Sequence, residues 1–290
     1  MFKKAEKHIT DKDALKTLPR NRKEVFFDLL RHRKMNLFAL SSFTFMFFIP
    51  LAIDLLYFNF LENVAIANDK LDYLFSLIFY SMLIMLPCMV IGFIGLSGAF
   101  QVAKKMVWQE GIVLASEFFQ GVKENWKHAF INGVIFGITL FGLVVGSSYL
   151  LIFSREMPVL CGVGIGALVV IFLFFGMSIA IFYTQDVYYE NSYITTLKNS
   201  FRFLALLNWK VLVIFLLSTG AVIALAVLNL ITLVIGLFLF AILNSVVIVL
   251  YTLVSHDAFD KYINMDNYPD MVGKGLYKDE NIDLDINGEV

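Results

Sequence analysis

Few residues of the kinds that carry acid–base, nucleophilic or metal chemistry occur here at a spacing that such chemistry requires. The histidines never fall at the spacing by which two imidazoles share a metal ion; they are His8, His32, His128 and His256. Gly273 and Lys274 lack the earlier glycine and the following hydroxyl of a phosphate-binding loop. The residues DLDINGEV imitate the start of a calcium loop but supply no acid at its twelfth position. We therefore expect no enzyme activity, no cofactor and no metal.

Asp54 is the acidic residue that falls inside a long apolar run. It follows Lys34 by about twenty residues, which corresponds to ~30 Å along a helix at ~1.5 Å per residue. This spacing places Asp54 at the far interface of a bilayer rather than at its midplane, so we expect a solvated or capping carboxylate. Because proton coupling uses ionisable groups deep in the membrane, the pattern disfavours a proton-coupled pump.

The elements that must position these residues are long apolar helices. Of the 290 residues, 59% are hydrophobic and 16% are charged, whereas soluble domains contain about 45–50% apolar and about 25% charged residues. An apolar helix of about 20 residues crosses the hydrocarbon core of a bilayer. Six such runs predict an all-α, polytopic membrane bundle, and they cover about residues 35–58, 74–96, 129–153, 159–183, 211–228 and 233–255. The first connection between them is expected to be short and polar, over residues 59–72.

Lysine and arginine are concentrated in alternate connections. Residues 1–34, 97–128 and 184–210 contain eleven, four and three of them, whereas residues 59–72, 154–158 and 229–232 contain one, one and none. By the positive-inside rule both termini lie in the cytoplasm, and we expect a multi-pass protein of the bacterial plasma membrane. A basic tail (1–23) and an acidic tail (257–290) then flank a membrane domain of residues 24–256. Neither tail carries a nucleic-acid-binding motif, so the lipid bilayer is the first expected partner.

Two stretches change from an amphipathic to a uniformly apolar pattern at the same tripeptide. These are Asn125-Trp126-Lys127 in QGVKENWKHAFINGVIF and Asn208-Trp209-Lys210 in LKNSFRFLALLNWKVLVIFL. The pattern predicts a helix that lies on the membrane surface, bends at Trp-Lys and enters the bilayer, with the indole at the headgroups and the ammonium towards phosphate. Lys34 marks a corresponding change after EVFFDLLRHRK. We call these three positions the elbows.

The elbows divide the membrane domain into similar parallel units of about residues 24–98, 112–184 and 193–256. Each unit has an amphipathic helix, a span, a short outer turn and a returning span. The second and third units share the tripeptide, so the repeat has either two or three members. Inverted repeats around interrupted helices are a common sign of a secondary transporter, and the repeat here is parallel. The elbows either support the spans or dock a cytoplasmic partner.

Three pairs of glycines are spaced four residues apart in the third and fourth spans: Gly133 and Gly137, Gly142 and Gly146, Gly162 and Gly166. This spacing allows two helix backbones to approach closely. We expect these glycines to pack helices within the bundle or against a second copy of the chain.

The stretch over residues 95–136 contains GLSGAF, then QVAKKMVWQEG, then SEFFQGVKENWKHAF at the entry to a span. In these features the chain resembles the YesL-like family of bacterial integral membrane proteins, over about the first two-thirds of its length. The resemblance implies a polytopic plasma-membrane protein that accompanies carbohydrate uptake systems. It supplies no catalytic residues.

Two hypotheses for function follow from these observations. The first is a non-enzymatic membrane protein that acts as an accessory or scaffold component of a transport or regulatory assembly. Its elbows would contact a transport-complex protein or a second copy of the chain. The alternative is a permease for a neutral or lipid-like solute, lined by the serines and glycines of the third to sixth spans.

Overall fold

The computed structural model describes residues 19–68, 71–222 and 229–277, and within these ranges every regular element is a helix. The main helices are α1 (Arg22–His32), α2 (Lys34–Ala67), α3 (Leu71–Val107), α4 (Leu114–Ile152), α5 (Pro158–Tyr188), α6 (Tyr193–Phe215) and α7 (Leu230–Phe259). Single π-helical turns, Leu216–Gly220 and Asp260–Asn264, continue α6 and α7, and the latter leads into α8 (Met265–Asn267) and a 3₁₀ turn, Pro269–Met271. Predictions for residues 1–18, 69–70, 223–228 and 278–290 lie outside the described residues.

Among the described residues, five helices are long and apolar enough to cross a membrane: α2, α3, α4, α5, and α7 with its continuation to Asn267. The sixth candidate is α6 with the turn after it, which is bent by 99° between Tyr193–Leu207 and Trp209–Gly220. The predicted all-α membrane bundle is thereby confirmed, with five crossings or six if the bent pair counts as one span.

The helices extend well beyond the apolar runs that predict them. The clearest correction concerns the polar connection predicted over residues 59–72, because α2 continues through most of it as a helix to Ala67. The polar residues of this stretch find partners inside the helix, since the Asn63 side-chain amide donates a hydrogen bond to the carbonyl oxygen of Asn59 at 2.7 Å. The apolar pattern therefore predicts the membrane-crossing part of a helix and not its ends.

A close contact between α3 and α4 forms the centre of the bundle. A Cβ atom added at Gly98 would lie 2.5 Å from the carbonyl oxygen of Phe118, and one added at Gly133 would lie 2.8 Å from the Cα atom of Val90. Both distances are shorter than van der Waals contact, so only glycine permits this approach of the two backbones. The contact extends along both helices, and α2, α5 and α7 pack around α3.

Polar side chains join α2 to α7 inside the bundle. The hydroxyl oxygens of Ser41 and Ser245 are 2.8 Å apart, and the Asn244 side-chain amide donates to the carbonyl oxygen of Ser41 at 3.1 Å. Each of these three side chains is at most 4% exposed. Hydrogen bonds between helices supply specific attachment in a bilayer, where apolar surface gives little preference among neighbours.

Asp54 is buried between α2 and α3 and is not solvated as the sequence suggested. Its relative exposure is 8%, and its carboxylate accepts a hydrogen bond from the Ser81 hydroxyl at 3.4 Å. Asp54 is covered because α3 packs against α2 at the level of this residue. Helix α2 also continues past Asp54 to Ala67, so Asp54 does not lie at a helix end. A buried carboxylate needs such a partner to offset the loss of its hydration.

Candidate functional site at the charged end of the bundle

The first elbow is a real break between two helices. Arg33 leaves the helical conformation, with φ −116° and ψ 24°, and separates α1 from α2, which begins at Lys34. Helix α1 buries Val25 and Leu29 against the bundle and exposes 67% of Phe27. The amphipathic stretch before Lys34 is therefore a separate helix. It packs on the end of the bundle that carries the Arg22–Asp260 and Lys274–Glu110 ion pairs, which we call the charged end.

The third elbow is bent by 99°, with the break between Leu207 and Trp209. Asn208 is the residue at this break, so the bend falls at the predicted tripeptide. The Trp209 side chain is 66% exposed, and Lys210 beside it is exposed as well. The indole of Trp209 and the ammonium group of Lys210 are thus both exposed on the outer surface of the bundle.

The middle elbow is not bent, which corrects the prediction for Asn125, Trp126 and Lys127. Here α4 runs from Leu114 to Ile152 as a single span, without the bend that divides α6. The same tripeptide behaves differently because α4 packs against α3 on both sides of it, with Phe118, Gly121, Ala129 and Gly133 all buried. Trp126 is still 46% exposed, and the Lys127 ammonium lies 6.0 Å from the centre of its ring.

The six predicted packing glycines fall into two groups. Gly133, Gly137 and Gly146 face neighbouring helices: added Cβ atoms would lie 2.8 Å from Val90, 2.7 Å from Leu86 and 3.0 Å from Leu168. Gly142, Gly162 and Gly166 have no atom within 4 Å of an added Cβ among the described residues. These last three do not pack helices within the described part of the chain, and their contact with a second copy stays a prediction.

The segment of residues 269–277, which we call the strap, lies across the charged end of the bundle. The ammonium nitrogen of its Lys274 lies 3.6 Å from the ring centre of Trp108 and 2.9 Å from a carboxylate oxygen of Glu110. A cation over an indole face is attracted by the negative potential of the ring. Part of the predicted acidic tail is therefore packed against the end of α3 and the residues that follow it.

An ion pair between α1 and the π-helical turn after α7 holds the strap in place. The Arg22 guanidinium lies 2.7 Å from the carboxylate of Asp260 and also donates to the carbonyl oxygen of Lys274 at 2.8 Å. The same Asp260 carboxylate accepts a hydrogen bond from the backbone of Gly273 at 3.2 Å. Both charged side chains are at most 16% exposed. No sequence spacing could reveal this pair, because its members are 238 residues apart.

Beside this ion pair, the residues that follow α5 contact the end of α7. The Tyr189 hydroxyl donates a hydrogen bond to Asn264 at 2.6 Å, and the Asn264 amide donates to Asp260 at 2.7 Å. Burial, and after it the nearby carboxylate of Asp260, raises the pKa of Tyr189, so this hydroxyl keeps its proton and acts as a donor.

A pocket of about 460 Å³ opens between α1, the end of α3 and the strap. Asp28 and His32 of α1 lie on its wall, 3.9 Å apart, and Gln109 donates towards Asp28 at 3.5 Å. The backbone N–H of Tyr277 donates to the carbonyl of Pro19 at 2.9 Å and closes the far side. In this pocket, polar groups of α1, of the residues after α3 and of the strap lie close together.

A second polar cluster joins α4, α5 and α6. The Nδ1 atom of His128 lies 2.6 Å from a carboxylate oxygen of Asp186, and the Tyr193 hydroxyl donates to Asn132 at 2.9 Å. The rings of His128 and Tyr193 lie 5.5 Å apart, so the two pairs touch. We call these four residues the His128 cluster. One sequence feature points to this cluster, because His128 and Asp186 both lie in connections predicted to face the same side of the membrane.

Comparison of the chain with models of protein families, with curated proteins and with solved structures found no match in any of the three. The resemblance to the YesL-like family therefore rests on the residues quoted above.

Proposed function

We propose that this chain is a non-enzymatic, multi-pass protein of the bacterial plasma membrane that acts as an accessory or scaffold subunit of a transport or regulatory assembly. The resemblance to the YesL-like family favours a carbohydrate uptake system. Both termini are assigned to the cytoplasm on the distribution of lysine and arginine. The observation that carries the proposal is the exposure of two elbow indoles, 46% for Trp126 and 66% for Trp209.

Exposed tryptophans beside lysines are suited to contact with a protein or with headgroups. Tryptophan contributes a large rigid surface and is enriched among the residues that dominate protein–protein binding. Aromatic and basic side chains at the end of a span also anchor it at the interface. The experiment must therefore separate a protein partner from lipid.

Site-specific photocrosslinking distinguishes a protein partner from lipid. A photoreactive phenylalanine is placed at Trp126, at Trp209 and, as a control, at Phe238, which is 65% exposed on α7. We expect the same membrane-transport protein to be attached at the two elbow positions and not at position 238. Attachment to lipid alone at both elbows, with the protein purifying by itself in mild detergent, would overturn the scaffold role.

A permease for a neutral solute is the second candidate function. The His128 cluster favours it, because polar side chains from three helices meet there and include buried atoms with free hydrogen-bonding capacity. Solute flux into liposomes that contain only this protein distinguishes the permease from the scaffold, since a scaffold gives none.

A further inference from the structure

Two buried polar atoms of the His128 cluster make no hydrogen bond of ordinary geometry among the described residues, although the Tyr183 hydroxyl, which donates to the carbonyl oxygen of Phe93, lies beside Asn132. The two atoms are Oδ2 of Asp186, whose side chain is 3% exposed, and Nδ2 of Asn132, which is 1% exposed as a residue. Their companion atoms are used: Oδ1 of Asp186 by His128, and Oδ1 of Asn132 by the Tyr193 hydroxyl. A buried polar atom without a partner costs free energy, so two in one cluster point to a bound group.

The two free atoms have opposite requirements, and this decides the chemistry of the group. Oδ2 of Asp186 is an acceptor, whereas Nδ2 of Asn132 is a donor. A cation would satisfy the carboxylate and be repelled by the amide N–H, and an anion would do the reverse. A hydroxyl group can donate to the first and accept from the second.

The surroundings fit the carbon skeleton of a hydroxylated molecule. The ring of Phe182 lies 5.1 Å from that of Tyr193 and 6.1 Å from that of His128, which places apolar surface beside the free polar atoms. The His128 side chain is 29% exposed, so the cluster reaches the surface of the protein at that residue. Asn132 lies one helical turn further along α4, on the same face and deeper in the bundle.

From this geometry we infer that the His128 cluster is a binding site for a small neutral solute that carries hydroxyl groups, such as a polyol. Asp186 accepts a hydrogen bond from one ligand hydroxyl, and Asn132 donates to the same hydroxyl or its neighbour. Tyr193 and His128 hold these two side chains in place. The inference gives the second candidate function a substrate class, but the site would serve equally for sensing without transport.

Ligand-detected NMR of the full chain in lipid nanodiscs tests the site with glycerol and sorbitol as probes. The reference compound is 1,2-dimethoxyethane, which is of similar size to glycerol but has no hydroxyl to donate. We expect saturable contact for a polyol and none for the ether. Replacement of Asn132 by leucine should weaken polyol binding at least tenfold, whereas Asn59→Leu, at a buried asparagine of α2, should leave it unchanged.

Two results would overturn the inference. One is the absence of saturable contact for either polyol in the unmodified protein, which would mean that a water molecule alone satisfies the two atoms. The other is equal binding by the unmodified protein and the leucine variant. If Asn132→Leu does not fold, Asn132→Ser takes its place, with the same expected direction. Binding without flux in liposomes would remove the permease and keep the site, and the crosslinking at Trp126 and Trp209 is independent of both.

Discussion

The backbone N–H of Tyr277 donates a hydrogen bond to the carbonyl oxygen of Pro19 at 2.9 Å, and so joins the two ends of the described chain. Both residues consequently lie at the same end of the bundle. Five of the described helices are long and apolar enough to cross a membrane, and the bent α6 with the turn after it is the candidate for a sixth crossing.

Replacement of Lys274 by glutamine removes the cation from the Trp108 ring and from Glu110. We expect the free energy of unfolding to fall by about 1 kcal/mol, because cation–π contacts contribute about 0.5–2 kcal/mol and partly exposed ion pairs less. Denaturant unfolding in detergent, followed by tryptophan fluorescence, measures the change. Lys123→Gln, at an exposed lysine of α4, is the control, and an equal loss there would contradict the assignment.

An alanine at Gly275 should detach the strap. This glycine has φ +84°, and an added Cβ atom would overlap the carbonyl oxygen of Val107. Strained backbone of this kind costs about 1–3 kcal/mol, and the steric overlap adds to it. Limited proteolysis should cleave the variant within residues 269–277. Gly111→Ala, where an added Cβ meets nothing within 4 Å, should resist the protease as the unmodified protein does.

A matched pair of substitutions in α4 tests the contact with α3. Gly133→Ala would place a Cβ atom 2.8 Å from the Val90 Cα, so we expect a loss of about 1–3 kcal/mol from overpacking. Gly142→Ala meets open space within the chain and should gain up to about 1 kcal/mol from helix propensity. Thermal unfolding of the two variants should shift in opposite directions. A destabilised Gly142→Ala variant would instead indicate that this position packs against a second copy.

Replacement of both Lys127 and Lys210 by glutamate tests the orientation of the chain. By the positive-inside rule, loss of two positive charges at two elbows should disturb insertion or invert part of the topology. The topology is measured by introducing single cysteines into the connections and labelling them with a reagent applied to one side of the membrane or the other. The double variant Lys123→Glu, Lys198→Glu changes the charge equally at positions before the elbows. If all cysteines keep their sides in the elbow variant, the two lysines do not set topology.

The sequence predicts the spans well because a bilayer imposes one strong requirement, a long apolar stretch with its backbone bonded internally. It predicts the elbow bends less well, since the same tripeptide is bent at Asn208 and straight at Asn125. Packing of α4 along α3 decides between these outcomes, and such packing depends on residues far away in the chain.

The charge pairs of the candidate site were not predictable for the same reason. His128 and Asp186 are 58 residues apart, and Arg22 and Asp260 are 238 apart. Local periodicity carries no information about partners at such distances. What the sequence did contain was the side of the membrane on which each residue should lie, and both pairs join residues assigned to the same side.

The Arg22–Asp260 pair also has a consequence for how the protein is made. Arg22 is synthesised 238 residues ahead of its partner, before any of α7 has been made. The ion pair of α1 with Asp260 and its hydrogen bond to the strap therefore cannot form until the last described residues have been synthesised. The guanidinium finds its carboxylate only after α7 and the strap have followed, so these contacts of the charged end form late.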